Sequence, residues 1–312
     1  MAQIFGSKGW TPERIGNLQG KTYVITGGNS GLGLDASKLL TSKGARVIIL
    51  CRNPIKANLA IEDIKSTITG AKVEFIPLDL MSLSSVKQSA EEVRSVCDSI
   101  DALILNAGIM MTPTQKRTED GFESQLGVNH YGHFALAGQL FDLVEKAAGR
   151  FVPVSSIAHK MGVRSMQFDD LDFDHNYGGF SVYRHSKLAN LLFGRELERR
   201  LRASNKKSTA VICHPGYAAT NIQTAEVNSF MGAVMTLCNK IIAQSSEKGA
   251  WAEVLAACDD DAIGGAYYGP TKLNEMRGPI GECIPAKWAR DDGAAAKLWE
   301  ISEHKTGIKW AI

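Results

Sequence analysis

Tyr183 and Lys187 stand at i and i+4 in the run Ser181-Val-Tyr-Arg-His-Ser-Lys-Leu-Ala-Asn190. On a helix this spacing puts a phenol and an ammonium on one face. An ammonium beside a phenol favours the phenolate and lowers its pKa toward neutrality. Such a pair can give a proton to, or take one from, an oxygen that alternates between carbonyl and alcohol. That chemistry needs a hydride carrier, and a glycine-rich run far upstream, Thr26-Gly-Gly-Asn-Ser-Gly-Leu-Gly33, can seat one.

The glycine run follows a short β-rich segment, Lys21–Thr26, and opens an apolar-periodic helix, the context a phosphate-binding turn requires. Gly27 permits the tight turn, Gly31 lets backbone approach a pyrophosphate, and Gly33 allows close helix–sheet packing; Asn29, Ser30 and Leu32 complete the turn. The helix N-terminus adds unpaired N–H groups and the positive end of a dipole. The spacing is GxxxGxG rather than GxGxxG. After the second strand the chain reads Leu50-Cys51-Arg52-Asn53-Pro54, with no carboxylate between Val47 and Ile61. NAD-binding folds place an acid there on the ribose hydroxyls, whereas an arginine accommodates a 2′-phosphate. Arg52 therefore favours NADP(H), with NAD(H) as the alternative.

The elements that must hold these groups alternate along the chain. Strands are expected at Lys21–Thr26, Arg46–Leu50, Lys72–Pro77, Ala102–Leu105, Arg150–Ser155, Thr209–Cys213 and Gly265–Tyr268. Helices are expected after the glycine turn to about Lys43, over Ile55–Thr69, from a Ser82 cap to about Asp98, over Gly121–Ala147 and over Ser181–Ala203. Pro153 is awkward in its strand because it removes a ladder donor. The pattern predicts an α/β fold: one doubly wound Rossmann domain, with a mostly parallel seven-stranded sheet and helices on both faces. Residues 1–20 read as an N-terminal extension, 21–285 as the catalytic domain and 286–312 as a helical tail.

Composition narrows the function. The chain has 312 residues, 44% hydrophobic and 22% charged, with net charge +2, which gives no sign of a nucleic-acid surface. Its six cysteines are scattered without a CxxC or a Cys/His cluster, which argues against a zinc site or a disulfide framework and fits a reducing cytosol. Residues 1–10 lack the apolar core of a secretory signal, and no apolar run is long enough to span a bilayer. A cytoplasmic protein is expected. The most apolar late stretch, Val227–Ala243, leaves a peripheral membrane contact open.

With these runs in place, the chain resembles the short-chain dehydrogenase/reductase family over residues 26–220. The glycine turn matches the family's cofactor motif, and Asp79 and Leu80, in Pro77-Leu-Asp-Leu80, match its adenine-contacting segment. Asn106-Ala107-Gly108 matches the motif closing the fourth strand, Asn129 the active-site asparagine, and Ser156 the catalytic serine. Tyr183 and Lys187 complete a tetrad, Pro215-Gly216 matches the turn beside the nicotinamide, and Thr220 the hydroxyl near its carboxamide. The wording of Cys51-Arg52-Asn53, Asn129-His-Tyr-Gly-His133, Ser156-Ile-Ala-His159 and Ser186-Lys-Leu-Ala-Asn190 is similar to the retinol dehydrogenase and protochlorophyllide reductase branch.

The resemblance implies hydride transfer between a nicotinamide and a carbonyl or alcohol carbon, with Tyr183 as general acid/base. It implies that Ser156 holds the oxygen, Lys187 binds the ribose and Asn129 anchors a relay water. No metal is required. Reduction of an activated C=C bond and a non-catalytic dinucleotide sensor are the alternatives; a fold alone does not choose among them. The substrate is expected to be a small, hydrophobic carbonyl or alcohol covered by a lid at about 221–260, and the assembly a monomer or homodimer. Two features depart from the family pattern: Pro153, where the branch commonly has Asn, and a long insert before Tyr183. The insert's acidic run, Met166–Asp174, reads as a solvated loop because the ligand spacing of a calcium loop is absent. His130, His133, His159 and His214 are expected to serve packing and structure.

Overall fold

The structure, a computed structural model, describes residues 4–217 and 245–312. Six parallel strands run in the order β3-β2-β1-β4-β5-β6: β1 Thr22–Thr26, β2 Arg46–Cys51, β3 Lys72–Pro77, β4 Ala102–Leu105, β5 Arg150–Pro153 and β6 Thr209–Ala210. Alternate residues of the central strands feed two cores. Val24, Ile48, Leu50, Leu103 and Phe151 enter one, while Tyr23, Ile25, Val47, Ile49, Ile104 and Val152 enter the other. Strands buried on both faces read as continuous apolar runs because they cannot afford a polar side. Helices α1 (Gly31–Ser42) and α2 (Pro54–Thr67) follow β1 and β2; α3 (Leu83–Val96) follows β3. Asn53 caps α2 by accepting the Lys56 N–H at 3.0 Å. Ser82 stands at the N-cap of α3, but its hydroxyl meets that of Ser84.

The expected seven-stranded sheet is instead six strands joined to a second sheet of three, and Pro153 accounts for the break. In a parallel ladder, alternate residues of a strand bond to the same neighbour. Val211 donates to the Phe151 carbonyl at 2.9 Å, and Ser155 donates to the Cys213 carbonyl at 2.8 Å. Pro153 lies between these two and has no N–H to give. The run therefore divides into β6 and β7 (Ile212–Cys213), and β7 pairs in parallel with β8 (Tyr267–Lys272). A further antiparallel strand, β9 (Arg277–Glu282), closes that sheet. Its Gly-Pro-Ile-Gly interior gave no strand signal.

The expected helix over Gly121–Ala147 is broken. It comprises a short turn α4 (Ser124–Leu126), a π turn Gly127–Tyr131, α5 (Gly132–Gln139) and α6 (Phe141–Lys146). Next come α7 (Gly179–Ala203), α8 (Ser246–Cys258) and α9 (Asp292–Thr306). Helices α1 and α8 pack on one face of the sheet, with α7, α5 and α9 grouped against the other core. Among the described residues, no helix is long and apolar enough to cross a membrane.

Two segments that read as peripheral belong to the interior. Near the N-terminus, Trp10 is buried, bridges Ile280 and donates its indole N–H to Asp259 at 2.6 Å. The acidic insert is not a solvated loop: Met166, Leu171 and Phe173 are buried, and Asp172 pairs with Lys305 of α9 at 2.6 Å. Its apolar residues supply packing that the charge pattern concealed. The C-terminal segment brings Trp299 and Trp310 against Phe134 and Phe193. Trp310→Ala should therefore cost about 3–5 kcal/mol of unfolding free energy in urea titration. A loss under about 1 kcal/mol would show that the tail lies outside the cooperative core.

Candidate active site

The cleft at the carboxyl ends of the strands opens where strand order reverses, between β1 and β4, the place such folds use for ligands. A cavity of about 540 Å³ there is lined by Gly27, Asn29, Ser30, Gly31, Leu32, Arg52, Asp79, Leu80, Asn106, Ala107 and Gly108. Gly27 and Gly31 have φ of +68° and +52°, the left-handed region that favours glycine. Gly33 lies under the turn: a Cβ there would come within 2.5 Å of the Gly27 carbonyl and 2.6 Å of the Asn106 amide. The cradle is thus backbone-lined and shaped for a diphosphate, and its residues fit a dinucleotide. Asn106 braces it by donating to the Thr26 carbonyl at 2.8 Å. Arg52 stands at the far rim, its side chain 73% exposed and 3.8 Å from Asp79, a pair too open to hold the guanidinium firmly.

A second cavity of about 200 Å³ adjoins the first and shares Leu32, Asn106, Gly108 and Ile109 with it. Ser156, Tyr183, Lys187, Pro215 and Gly216 all line it. Helix α7 reaches it because three bonds fasten the helix to the end of β5. Lys187 Nζ and Asn190 Nδ2 each donate to the Val154 carbonyl at 3.0 Å, and Ser155 Oγ donates to the Lys187 carbonyl at 2.7 Å. The paired serines thus divide their work: Ser155 anchors the helix and Ser156 faces the cavity. Lys187 Nζ lies 5.9 Å from the centre of the Tyr183 ring.

Asn129 does not line either cavity. It sits behind Gly108, fully buried in the π turn, a feature frequent at functional sites. Its amide accepts from the Ile109 N–H at 2.9 Å and donates to the Ile109 carbonyl and the Ser186 hydroxyl. Ser186 in turn donates to the Tyr183 carbonyl at 2.8 Å, so Asn129 ties the β4 loop to the Tyr183 turn. A Cβ on Gly108 would lie 3.1 Å from Asn129 Oδ1 and 3.7 Å from Lys187 Nζ. His133 bonds the Asn129 carbonyl and Thr26 Oγ1, which places it as packing beneath the site. His130 bonds the Ser302 hydroxyl at 2.8 Å. His159 and His214 are absent from the cavity walls and act behind them. Thr220, the apolar residues from Phe230 to Ile242, and all of the expected lid before Ser245 lie outside the described residues.

Burial dominates the electrostatics. It pushes the Tyr183 phenol above its ordinary range, with the Ser156 hydroxyl pulling it back. It pulls Lys187 down to about 8, opposed by the nearby Glu253 and Cys213. For the phenol, removal from water is the largest influence in the folded chain. Glu253, on α8, escaped sequence reading. It is fully buried with both carboxyl oxygens unpartnered, and burial raises it to about 8. Its only sequence signal is one acid within Ala252-Glu-Val-Leu-Ala-Ala257, where apolar side chains surround it.

Comparison with known proteins agrees with this geometry. Residues 21–168 match the sequence profile of the short chain dehydrogenase family. Retinol dehydrogenase 14 of Mus musculus is 37% identical over 307 residues, covering 94% of this chain and 88% of the relative. Retinol dehydrogenase 12 of Mus musculus is 36% identical with the same coverage. The crystal structure of an uncharacterized protein from Mycobacterium paratuberculosis superposes with a TM-score of 0.80 at 35% identity, over 97% of this chain and all of that one. The chain belongs to the short-chain dehydrogenase/reductase family, in its retinol dehydrogenase branch, and is an oxidoreductase acting on CH–OH and C=O groups.

Proposed function

We propose that this oxidoreductase uses NADP(H) and that Tyr183 is its general acid/base. The convergence of Ser156, Tyr183 and Lys187 on one small cavity, contiguous with the glycine cradle, carries this reading. A bound nicotinamide supplies or accepts the hydride. In reduction, Tyr183 gives its phenolic proton to the oxygen that develops negative charge, while Ser156 holds that oxygen by hydrogen bonding. Lys187 keeps a positive charge beside the phenolate that remains, held in place by the Val154 carbonyl. Asn129 fixes the backbone of the Tyr183 turn and the β4 loop. Oxidation reverses the proton's path. Met110, Met111, Ile157, Met161 and Phe180 make the cavity wall apolar, which supports a hydrophobic alcohol, aldehyde or ketone; the relatives named as retinol dehydrogenases fit that class. Arg52 supports the 2′-phosphate reading because no acid occupies the strand end and its exposed guanidinium is free to swing.

The ionisable interior makes a testable pH signature. Glu253 has an ordinary value of 4.5 and a folded value of about 8, set first by burial, with Lys187 lowering it and Asp35 raising it. Below the ordinary value both states hold the proton. Between the two values only the folded chain holds it, so this group's stabilisation is lost as pH rises through the folded value. Glu253→Gln mimics the neutral acid and should flatten that slope: between about pH 5 and about pH 8 its Tm should fall less than the wild type's. Parallel profiles in thermal melts would show that Glu253 is not the titrating group.

Turnover of retinal with NADPH tests the catalytic reading directly. Tyr183→Phe keeps the ring and removes the transferable proton, so the rate should drop at least about a hundredfold while NADPH affinity is largely kept. Near-normal turnover would sink the assignment. Arg52→Asp sets a carboxylate against the 2′-phosphate and should weaken NADPH far more than NADH. Equal losses for the two would remove Arg52 from cofactor choice.

A further inference from the structure

Behind the wall of the smaller cavity lies a polar cluster that the reaction above does not use. A ring nitrogen of His214, a carboxylate oxygen of Glu275 and the sulfur of Cys283 lie within 4.8 Å of one another, a spacing that resembles a metal site. The cluster already has its cation. Lys160 Nζ donates to both Glu275 oxygens at 2.7 Å. The Cys283 thiol is directed at the Pro270 carbonyl, and burial pushes its pKa far up. His214 Nδ1 accepts the Gly216 N–H at 3.2 Å, which leaves the ring hydrogen on Nε2. That buried nitrogen has no hydrogen-bond partner and faces Glu275 Oε2 at 3.7 Å.

Two bonded pairs, Lys160–Glu275 and His214–Gly216, meet at the 3.7 Å contact of Glu275 with His214 and connect three loops. Lys160 ends the 3-10 turn Ile157–Lys160 that directly follows Ser156. Glu275 sits in the β8–β9 turn, and His214 leads from β7 into the Pro215–Gly216 turn. The backbone around these pairs is held closely. Leu273, Asn274 and Glu275 are three successive non-glycine residues with φ of 50°, 54° and 64°, a conformation that persists only where the surroundings enforce it. A Cβ on Gly269 would overlap the His214 ring, which stacks on Tyr267. The Tyr217 N–H donates to the Met276 carbonyl at 2.8 Å, tying the cavity wall to the same turn.

We propose that Lys160, Glu275 and His214 form a clamp that fixes the Pro215–Gly216 turn relative to Ser156, with Glu275 as a positioning residue for the carbonyl/alcohol reaction. The proposal rests on the reading of the smaller cavity as the reaction site. Ser156 and Gly216 line that cavity one and three residues beyond the last pairing contact, the Ser155 N–H on the Cys213 carbonyl at 2.8 Å, so pairing fixes the roots of the two loops and leaves their tips to be held by other contacts. Catalytic rates respond to shifts of about 1 Å with losses up to about a hundredfold, so a link between these loops bears directly on rate.

Two readouts test the clamp. Glu275→Gln and Lys160→Met should slow single-turnover reduction of retinal by NADPH about tenfold, with the NADPH Kd within about twofold of wild type. Amide exchange at 157–161 and 215–217 should accelerate in both. The double variant should be no slower than either single, since both break one unit. His214→Asn offers Oδ1 where Nδ1 stood and should retain the Gly216 bond, whereas His214→Leu should behave like Glu275→Gln. If Glu275→Gln and Lys160→Met melt earlier but keep wild-type exchange at these loops and wild-type rates in the folded fraction, the cluster only stabilises the fold and the clamp is refuted. Normal turnover by Tyr183→Phe in the same assay would instead overturn the assignment of the cavity; the exchange readout judges the clamp independently.

Discussion

The Val154 carbonyl, at the end of β5, is the point on which the site depends. It accepts from Lys187 and Asn190 together, while the next residue, Ser155, donates back to the Lys187 backbone. These bonds fix both the height and the rotation of α7 against the sheet. A helix packed only by apolar ridges could slide by a fraction of a turn at modest cost, because dispersion contacts are non-directional. Here the lysine is committed to one carbonyl, so Tyr183, one turn earlier, has one place to stand. Burial of that ammonium is unfavourable by itself, and its hydrogen bond to the Val154 carbonyl offsets part of the desolvation.

Pro153 has a consequence opposite to a defect. By withholding one donor, it interrupts the ladder opposite Val211, yet the run Thr209–Cys213 stays beside β5 through the Ser155–Cys213 bond while β7 pairs with β8 on its other side. The same proline lies against Gly194 of α7, where a larger residue would also meet Ile212. One residue thus shapes the sheet edge and the closest approach of α7 to it.

The two cavities divide along physical lines. The larger joins apolar walls that include Leu50, Leu78 and Met81 to a backbone cradle of glycines, helix N-terminus and the braced Asn106, and the cradle suits a ligand bearing negative charge on many oxygens. The smaller is apolar in its walls with a few convergent polar groups, the pattern of a specific small-molecule site. In the smaller cavity, low polarity penalises every charged form, so Tyr183 is held up and Lys187 down.

Much of this was legible in the sequence. The alternation of strands and helices, the glycine turn and the Tyr183–Lys187 spacing could be named without coordinates because each depends on local spacing or a local turn, whereas Asn129 and Ser156 were named through the family resemblance. The β strands buried on both faces announced themselves as unbroken apolar runs. What escaped were properties of residues distant in sequence and adjacent in space. The acidic insert looked solvated until Lys305 and the apolar side chains beside it were seen to draw it into the core. Strand β9 lacked β-branched residues, and only the edge of β8 makes it a strand. Glu253 and Glu275 carry no sequence signature because burial and partners, not residue type, make them unusual. The sequence by itself determined the fold class, the glycine cradle and the i, i+4 pairing of Tyr183 with Lys187, since local physics encodes them. Only the tertiary structure decided the sheet's division at Pro153, the retreat of Asn129 behind Gly108, and the burial that raises the Tyr183 phenol, since desolvation and long-range hydrogen bonds exist only once the chain has packed.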